Sequence, residues 1–146
     1  MTAPTSARSV GLVGWLTLLL LCASAALAAL LESLFVPLYA GGTLVPVTVL
    51  ATIVTNVALP LLARAVVPTM GGTVAPFVVW LVVVIGFGVL TRPEGDVILP
   101  GGDPQWVSYA VLLGGALVGT ITVISSVPRA PEMTRRQQHY RRPPSR

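Results

Sequence analysis

The chain has 146 residues, of which 54% are hydrophobic and 10% charged, and its formal net charge is +4 at pH 7. Soluble domains carry about 25% charged residues, so this composition excludes an ordinary soluble domain and predicts an integral membrane protein. A single cysteine and a single histidine exclude an internal disulfide and bis-histidine haem ligation, and we predict no metal site and no cofactor.

The first predicted membrane span covers residues 10–31, which carry no charge. At about 1.5 Å per residue, a helix of this length crosses the roughly 30 Å hydrocarbon core of a bilayer. A cleavable signal peptide is the alternative, because Arg8 in the short N-terminus (residues 1–9) precedes the apolar run and residues 23–29 are mostly small. Three further apolar runs follow, so we favour a retained membrane anchor.

The second predicted span covers residues 44–64. A glycine turn at Gly41-Gly42 precedes it, Thr43 is the candidate helix cap, and Pro46 falls in the first turn, where its missing N–H is tolerated.

Polar residues recur along this second span at helical spacing. They are Thr48, Thr52, Thr55 and Asn56. Offsets of four, seven and eight residues place them on one face, which in a membrane normally contacts other helices. The functional alternative is that this face lines a hydrophilic conduit through the membrane. Against it, we expect no membrane-embedded acid or histidine that would bind cations or relay protons.

The third predicted span covers residues 74–91, and Gly71-Gly72-Thr73 before it repeats Gly41-Gly42-Thr43. We interpret both as a glycine turn, a capping threonine and an early proline, a pattern typical of helix starts. The run is rich in β-branched residues. An isolated strand cannot cross a bilayer with unpaired backbone groups, so we predict a helix.

The loop from Arg92 to Gly102 concentrates acids next to an arginine. The candidate exterior ionic cluster consists of Glu32, Arg92, Glu94 and Asp96. Arg92 would pair with a carboxylate and hold the loop against the end of the first helix. The alternative is purely structural: Pro93 and Gly95 form a turn, and the charges mark the boundary with water.

The fourth predicted span covers residues 104–126. Gly115 and Gly119 form a step of small residues that allows close backbone approach. Together with the small residues of helix one, they predict that helices one and four pack inside the bundle or against a partner subunit. Residues 127–146 are predicted to form a disordered, arginine-rich cytoplasmic tail.

The arginines determine the predicted topology. With four spans, eight of the nine arginines lie on the side of the two termini, and only Arg92 lies on the other. The positive-inside rule then places both termini in the cytoplasm and the Arg92 loop outside the cell inner (plasma) membrane. The basic tail is typical of contact with anionic lipid, and we expect no nucleic-acid partner because no aromatic-studded binding module accompanies it.

One segment carries a family resemblance. Thr91-Arg92-Pro93-Glu94-Gly95-Asp96, followed by Gly101-Gly102, Trp106 and Tyr109, resembles an actinobacterial family of small four-span integral membrane proteins of unknown function. The similarity covers residues 10–126 and depends mainly on the Arg-Pro-Glu-Gly-Asp loop. It implies no activity, cofactor or catalytic residue.

These patterns together predict an all-α, integral membrane four-helix bundle over residues 10–126. The sequence contains no serine nucleophile elbow, phosphate loop or dinucleotide fingerprint, so we predict no enzymatic activity and no catalytic residue. The favoured function is a non-enzymatic interaction or scaffold protein, acting as an accessory subunit of a membrane complex, with a membrane-protein partner or a second copy of the chain. The alternatives are a small transporter or permeation component, and a subunit of an envelope- or lipid-modifying enzyme.

Overall fold

The computed structural model describes residues 11–36, 38–89 and 105–127. Over these ranges the helices are α1 (Leu12–Leu34), α2 (Val47–Val66), α3 (Met70–Val89), and a fourth helix made of α4 (Gln105–Tyr109), a π-helical turn (Ala110–Gly114) and α5 (Gly115–Ser125). The predicted all-α, four-helix membrane fold is confirmed. The N-terminal segment 1–9, the Arg92 to Gly102 loop and the tail beyond Val127 lie outside the described residues.

Four helical stretches are long and apolar enough to cross a membrane: Leu12–Leu34, Val47–Val66, Met70–Phe87 and Trp106–Ser125. At about 1.5 Å per residue, each reaches roughly the thickness of the hydrocarbon core. Their outward faces carry exposed aliphatic side chains such as Leu19 and Leu50, which are suited to lipid. The chain is a multi-pass membrane protein.

Helices α2 and α3 form the middle of the bundle. α1 packs against both of them on one side, and the fourth helix packs on the other, mainly against α2. Ala25 and Ala29 of α1 are fully buried beside Trp80 and Val84 of α3. Because alanine side chains are small, α1 approaches α3 closely, and this brings the end of α1 against the polar face of α2.

A two-residue hairpin joins α1 to α2. β1 (Tyr39–Ala40) pairs antiparallel with β2 (Thr43–Leu44), and the turn between them has positive φ at Gly41 (60°) and Gly42 (85°). Glycine adopts this conformation without a Cβ penalty, and two positive φ angles match the twist of a tight hairpin. The predicted turn is confirmed, but the prediction that Thr43 caps the next helix is wrong, because Thr43 lies in β2 and α2 begins at Val47.

The second diglycine forms a different structure. Gly71 and Gly72 lie in the first turn of α3, so the prediction of a turn there is wrong. Thr69 supplies the cap four residues before the expected Thr73, since its Oγ1 accepts the Gly72 N–H at 3.0 Å. Gly72 is required for packing instead: a Cβ there would lie 2.6 Å from the carbonyl oxygen of Val67.

Candidate functional site

The carboxyl group of Glu32 is buried inside the bundle. Glu32 lies near the C-terminal end of α1 and is only 4% exposed. Buried Ala25, Ala29 and Ser33 follow one face of α1 at offsets of four and eight residues, and Glu32, at an offset of seven, falls within this helical stripe. The face of α1 that packs its alanines into the bundle therefore also carries Glu32. Glu32 points inward for this reason, although it follows the last residue of the apolar run.

Three side chains from two other helices donate hydrogen bonds to this carboxyl group. Oε2 accepts from Thr52 Oγ1 at 2.8 Å and from Trp80 Nε1 at 2.9 Å. Oε1 accepts from Thr55 Oγ1 at 2.9 Å. Glu32 thus links α1 to both α2 and α3. We call Glu32, Thr52, Thr55 and Trp80 the carboxyl network.

The donors of the carboxyl network are neutral. No arginine or histidine in the three described ranges pairs with Glu32. The basic side chain within those ranges is Arg64. Arg64 lies twelve residues after Thr52, which is about 18 Å along the helix axis. The expectation that no acid lies within the bundle is therefore wrong. Arg92, Glu94 and Asp96 lie outside the described residues, so their pairing with Glu32 stays a prediction.

The polar face of α2 lies inside the bundle. Thr48, Thr52 and Asn56 are buried, and Thr55 is partly buried. The Asn56 side-chain amide donates to the Thr52 carbonyl at 3.0 Å. Within the described part of the chain, Asn56 Oδ1 and Thr48 Oγ1 have no hydrogen-bond partner, and the same holds for Ser108 Oγ on α4. The carboxyl network thus belongs to a longer strip of buried oxygen atoms.

The fourth helix closes this strip with glycine. A Cβ on Gly115 would lie 2.6 Å from the Thr52 methyl group and would overlap the Trp80 ring. A Cβ on Gly119 would overlap the Phe77 ring and lie 3.1 Å from Asn56 Oδ1. The two glycines therefore pack within this chain, on α2 and α3, and not on α1. Any larger residue at Gly115 would displace a donor of the carboxyl network.

The region next to the carboxyl network, toward the C-terminal end of α2, is tightly packed. A small gap there is lined by Thr55, Asn56, Pro60, Phe77 and Trp80 among others, and it is too narrow to hold a water molecule. Pro60 has no N–H, so the helix ladder leaves the Asn56 carbonyl without its usual donor. Among the described residues, this side of the carboxyl network is therefore a tightly packed, oxygen-rich seam.

Trp80 is the site residue that sequence reasoning missed. It lies in the middle of an apolar run, and its bond to Glu32 spans 48 positions in the chain. Only a general indication of this bond was present in the sequence. A buried indole N–H usually requires an acceptor, and α3 itself offers none, so the acceptor had to lie on another helix.

The described residues contain no group of three or more histidine, cysteine, aspartate or glutamate side chains that would hold a metal ion. Comparison of the chain with family models, curated proteins and solved structures gives no match. The resemblance to the four-span family therefore stays a prediction.

Proposed function

We propose that the chain is a small membrane transporter or permeation component in which the Glu32 carboxyl group binds and releases a proton. One observation carries the proposal: a carboxyl group lies buried within the membrane-spanning bundle, held by three neutral donors from α2 and α3.

The burial of an acid requires a reason beyond helix association. Removing a carboxylate from water costs several kcal/mol, and apolar contacts or neutral hydrogen bonds hold membrane helices together without that cost. Ionisable residues inside membrane bundles mark ion or proton pathways for this reason. Glu32 fits this pattern, since it faces the bundle interior and not the lipid.

The number of hydrogen bonds to the carboxyl group leaves one lone-pair position for a proton. A carboxylate offers about four lone-pair positions, and the network occupies two on Oε2 and one on Oε1. A proton arriving at the remaining position on Oε1 forms an O–H bond and neutralises the group without displacing any donor. Its release restores the carboxylate.

A proton suits the seam better than a hydrated cation, because the adjoining gap is too narrow for a water molecule. Thr48, one helical turn from Thr52, carries a buried hydroxyl oxygen without a partner among the described residues, and Asn56 carries an equally unpartnered oxygen on the other side. These groups extend the polar path along α2 in both directions from Glu32.

We further propose that both termini lie on the cytoplasmic side of the inner (plasma) membrane. This orientation is supported by Arg64 at the end of α2, which lies at the same end of the bundle as Ser126 and Val127 after α5, and by the six arginines that follow Ser126 in the sequence. The hairpin and Glu32 then lie toward the exterior.

The test is proton flux into liposomes that contain the purified chain and an enclosed pH-sensitive dye, driven by an imposed membrane potential. Glu32→Gln keeps the size of the side chain but cannot be ionised, so we expect it to abolish the flux. Glu132→Gln, the same substitution in the tail, serves as the matched control and should conduct as the unmodified protein does. Flux from the unmodified protein no faster than from empty liposomes would reject the proposal.

An interaction or scaffold subunit is the second candidate. The N-terminal half of α1 exposes apolar side chains on most of its circumference, including Leu12, Val13, Leu16 and Leu20, and this surface is available to a partner helix or a second copy. Copurification from native membranes in mild detergent, followed by mass spectrometry, tests this candidate and would also reveal an enzyme as the partner. A chain that is consistently recovered alone and as a monomer would argue against a scaffold subunit and against a subunit of an enzyme complex.

A further inference from the structure

A cavity of about 250 Å³ opens at the end of the bundle opposite Glu32. Its walls come from the end of α2, the connection to α3, the first turn of α3 and the end of α5. Its lining residues include Arg64, Thr69, Met70, Val123 and Val127. The cavity is smaller than the roughly 300–1,000 Å³ of drug-sized ligand pockets, so it suits a compact chemical group.

The polar side of the cavity presents hydrogen-bond donors. Arg64 is partly buried, and its guanidinium has no hydrogen bond or ion pair with any residue in the described ranges. Arg64 lines the cavity, so its N–H donors are available to an acceptor that the described residues do not supply. Thr69 Oγ1 accepts the Gly72 N–H at 3.0 Å, which leaves the hydroxyl hydrogen of Thr69 free to donate.

The other side of the cavity is apolar. Met70, Val123 and Val127 line it, and Met70 and Val127 are exposed toward the bundle surface. Val127 is also where the arginine-rich segment begins, with six arginines between residues 128 and 146. A ligand here would thus meet a cation, a hydroxyl donor and a hydrocarbon wall at the level where the membrane-spanning helices end.

We propose that this cavity binds the phosphate-bearing headgroup of an anionic phospholipid. The guanidinium of Arg64 presents a planar pair of donors that matches two phosphate oxygens, and Thr69 supplies a third donor. The apolar wall accommodates the glycerol and the start of the acyl chains. Basic pockets between membrane helices on the cytoplasmic side of other proteins bind anionic lipid headgroups. The proposal is independent of the proton-binding role of Glu32.

Lipid binding to the full-length chain in detergent, measured by native mass spectrometry, tests the proposal. Short-chain phosphatidylglycerol is the probe, and phosphatidylcholine is the zwitterionic comparison. Arg64→Gln removes the guanidinium and leaves the cavity open. Arg146→Gln removes the same unit of charge from the end of the chain and is the matched control. Val123→Phe keeps every charge and fills the cavity.

We expect one phosphatidylglycerol to bind more tightly than phosphatidylcholine, and Arg64→Gln to weaken that binding about fivefold, the contribution of one basic residue near a membrane surface. Arg146→Gln should leave binding nearly unchanged, Val123→Phe should weaken it, and excess inorganic phosphate should not displace the lipid.

Equal weakening by the two arginine variants would assign the binding to the tail and overturn the proposal. Undiminished binding to Val123→Phe would exclude the cavity. Full displacement by inorganic phosphate would replace the lipid by free phosphate as the ligand.

Discussion

The substitution Thr52→Val isolates one hydrogen bond of the carboxyl network. Valine has nearly the same shape as threonine, and Thr52 is 1% exposed, so the change removes the donor at 2.8 Å from Glu32 Oε2 with little change in packing. Thr48→Val is its matched control on the same face of the same helix. Thr48 is also buried, but its Oγ1 has no partner in the described part of the chain.

The structure predicts opposite outcomes for the two valine variants. A hydrogen bond to a charged group contributes about 1.5–3 kcal/mol in proteins, while bonds between membrane helices average about 0.6 and reach about 1.7 kcal/mol. We therefore expect Thr52→Val to lower the free energy of unfolding by about 1–2 kcal/mol. Thr48→Val removes a hydroxyl that is buried without a partner, so we expect it to be neutral or to stabilise by up to about 1 kcal/mol.

Equilibrium unfolding in mixed detergent micelles, followed by circular dichroism, measures both values. Repeating Thr52→Val in a Glu32→Leu background gives the coupling, because the donor then has no carboxyl group to meet. The destabilisation should fall to near zero in that background. A Thr52→Val that is no more destabilising than Thr48→Val, or one whose cost persists without Glu32, would refute the assigned hydrogen bond.

Two further predictions concern glycines at close helix contacts. Gly115→Ala should destabilise the bundle by about 1–3 kcal/mol, because the new methyl group meets the indole ring of Trp80, whereas a Cβ on the adjacent Gly114 meets nothing within 4 Å and Gly114→Ala should be tolerated. Gly72→Ala should lower the melting temperature in detergent because its Cβ would press on the Val67 carbonyl, and Gly71→Ala, which has open space, should not. Equal melting temperatures within either pair would contradict the packing described.

Length and hydropathy were sufficient to predict the four helices, but side-chain direction at the end of α1 was not predicted. Glu32 follows an apolar run, which is typical of a residue at the water boundary. Its spacing from Ala25 and Ala29 instead places Glu32 on the buried face of α1. The hydrogen bonds from α2 and α3 offset the cost of removing the carboxyl group from water. Spacing alone placed the polar residues of α2 on one face. Their acceptor could not be found in that way, because the network joins residues far apart in the chain.

The two diglycines show why a repeated motif did not give a repeated structure. Gly41-Gly42 lies between short segments that pair as strands, so both glycines adopt positive φ. Gly71-Gly72 follows Thr69, whose side chain caps the helix earlier and draws both glycines into α3. The difference comes from the flanking residues, which the motif does not include.

The proton-binding role of Glu32 is tested most directly by infrared difference spectroscopy of the reconstituted protein on acidification. A protonated carboxyl group has a C=O stretching band that a carboxylate lacks, and subtracting the Glu32→Gln spectrum from that of the unmodified protein isolates the contribution of Glu32. The proposal predicts a carboxyl band that disappears in Glu32→Gln and persists in Glu132→Gln. A carboxyl region unchanged by Glu32→Gln would contradict it.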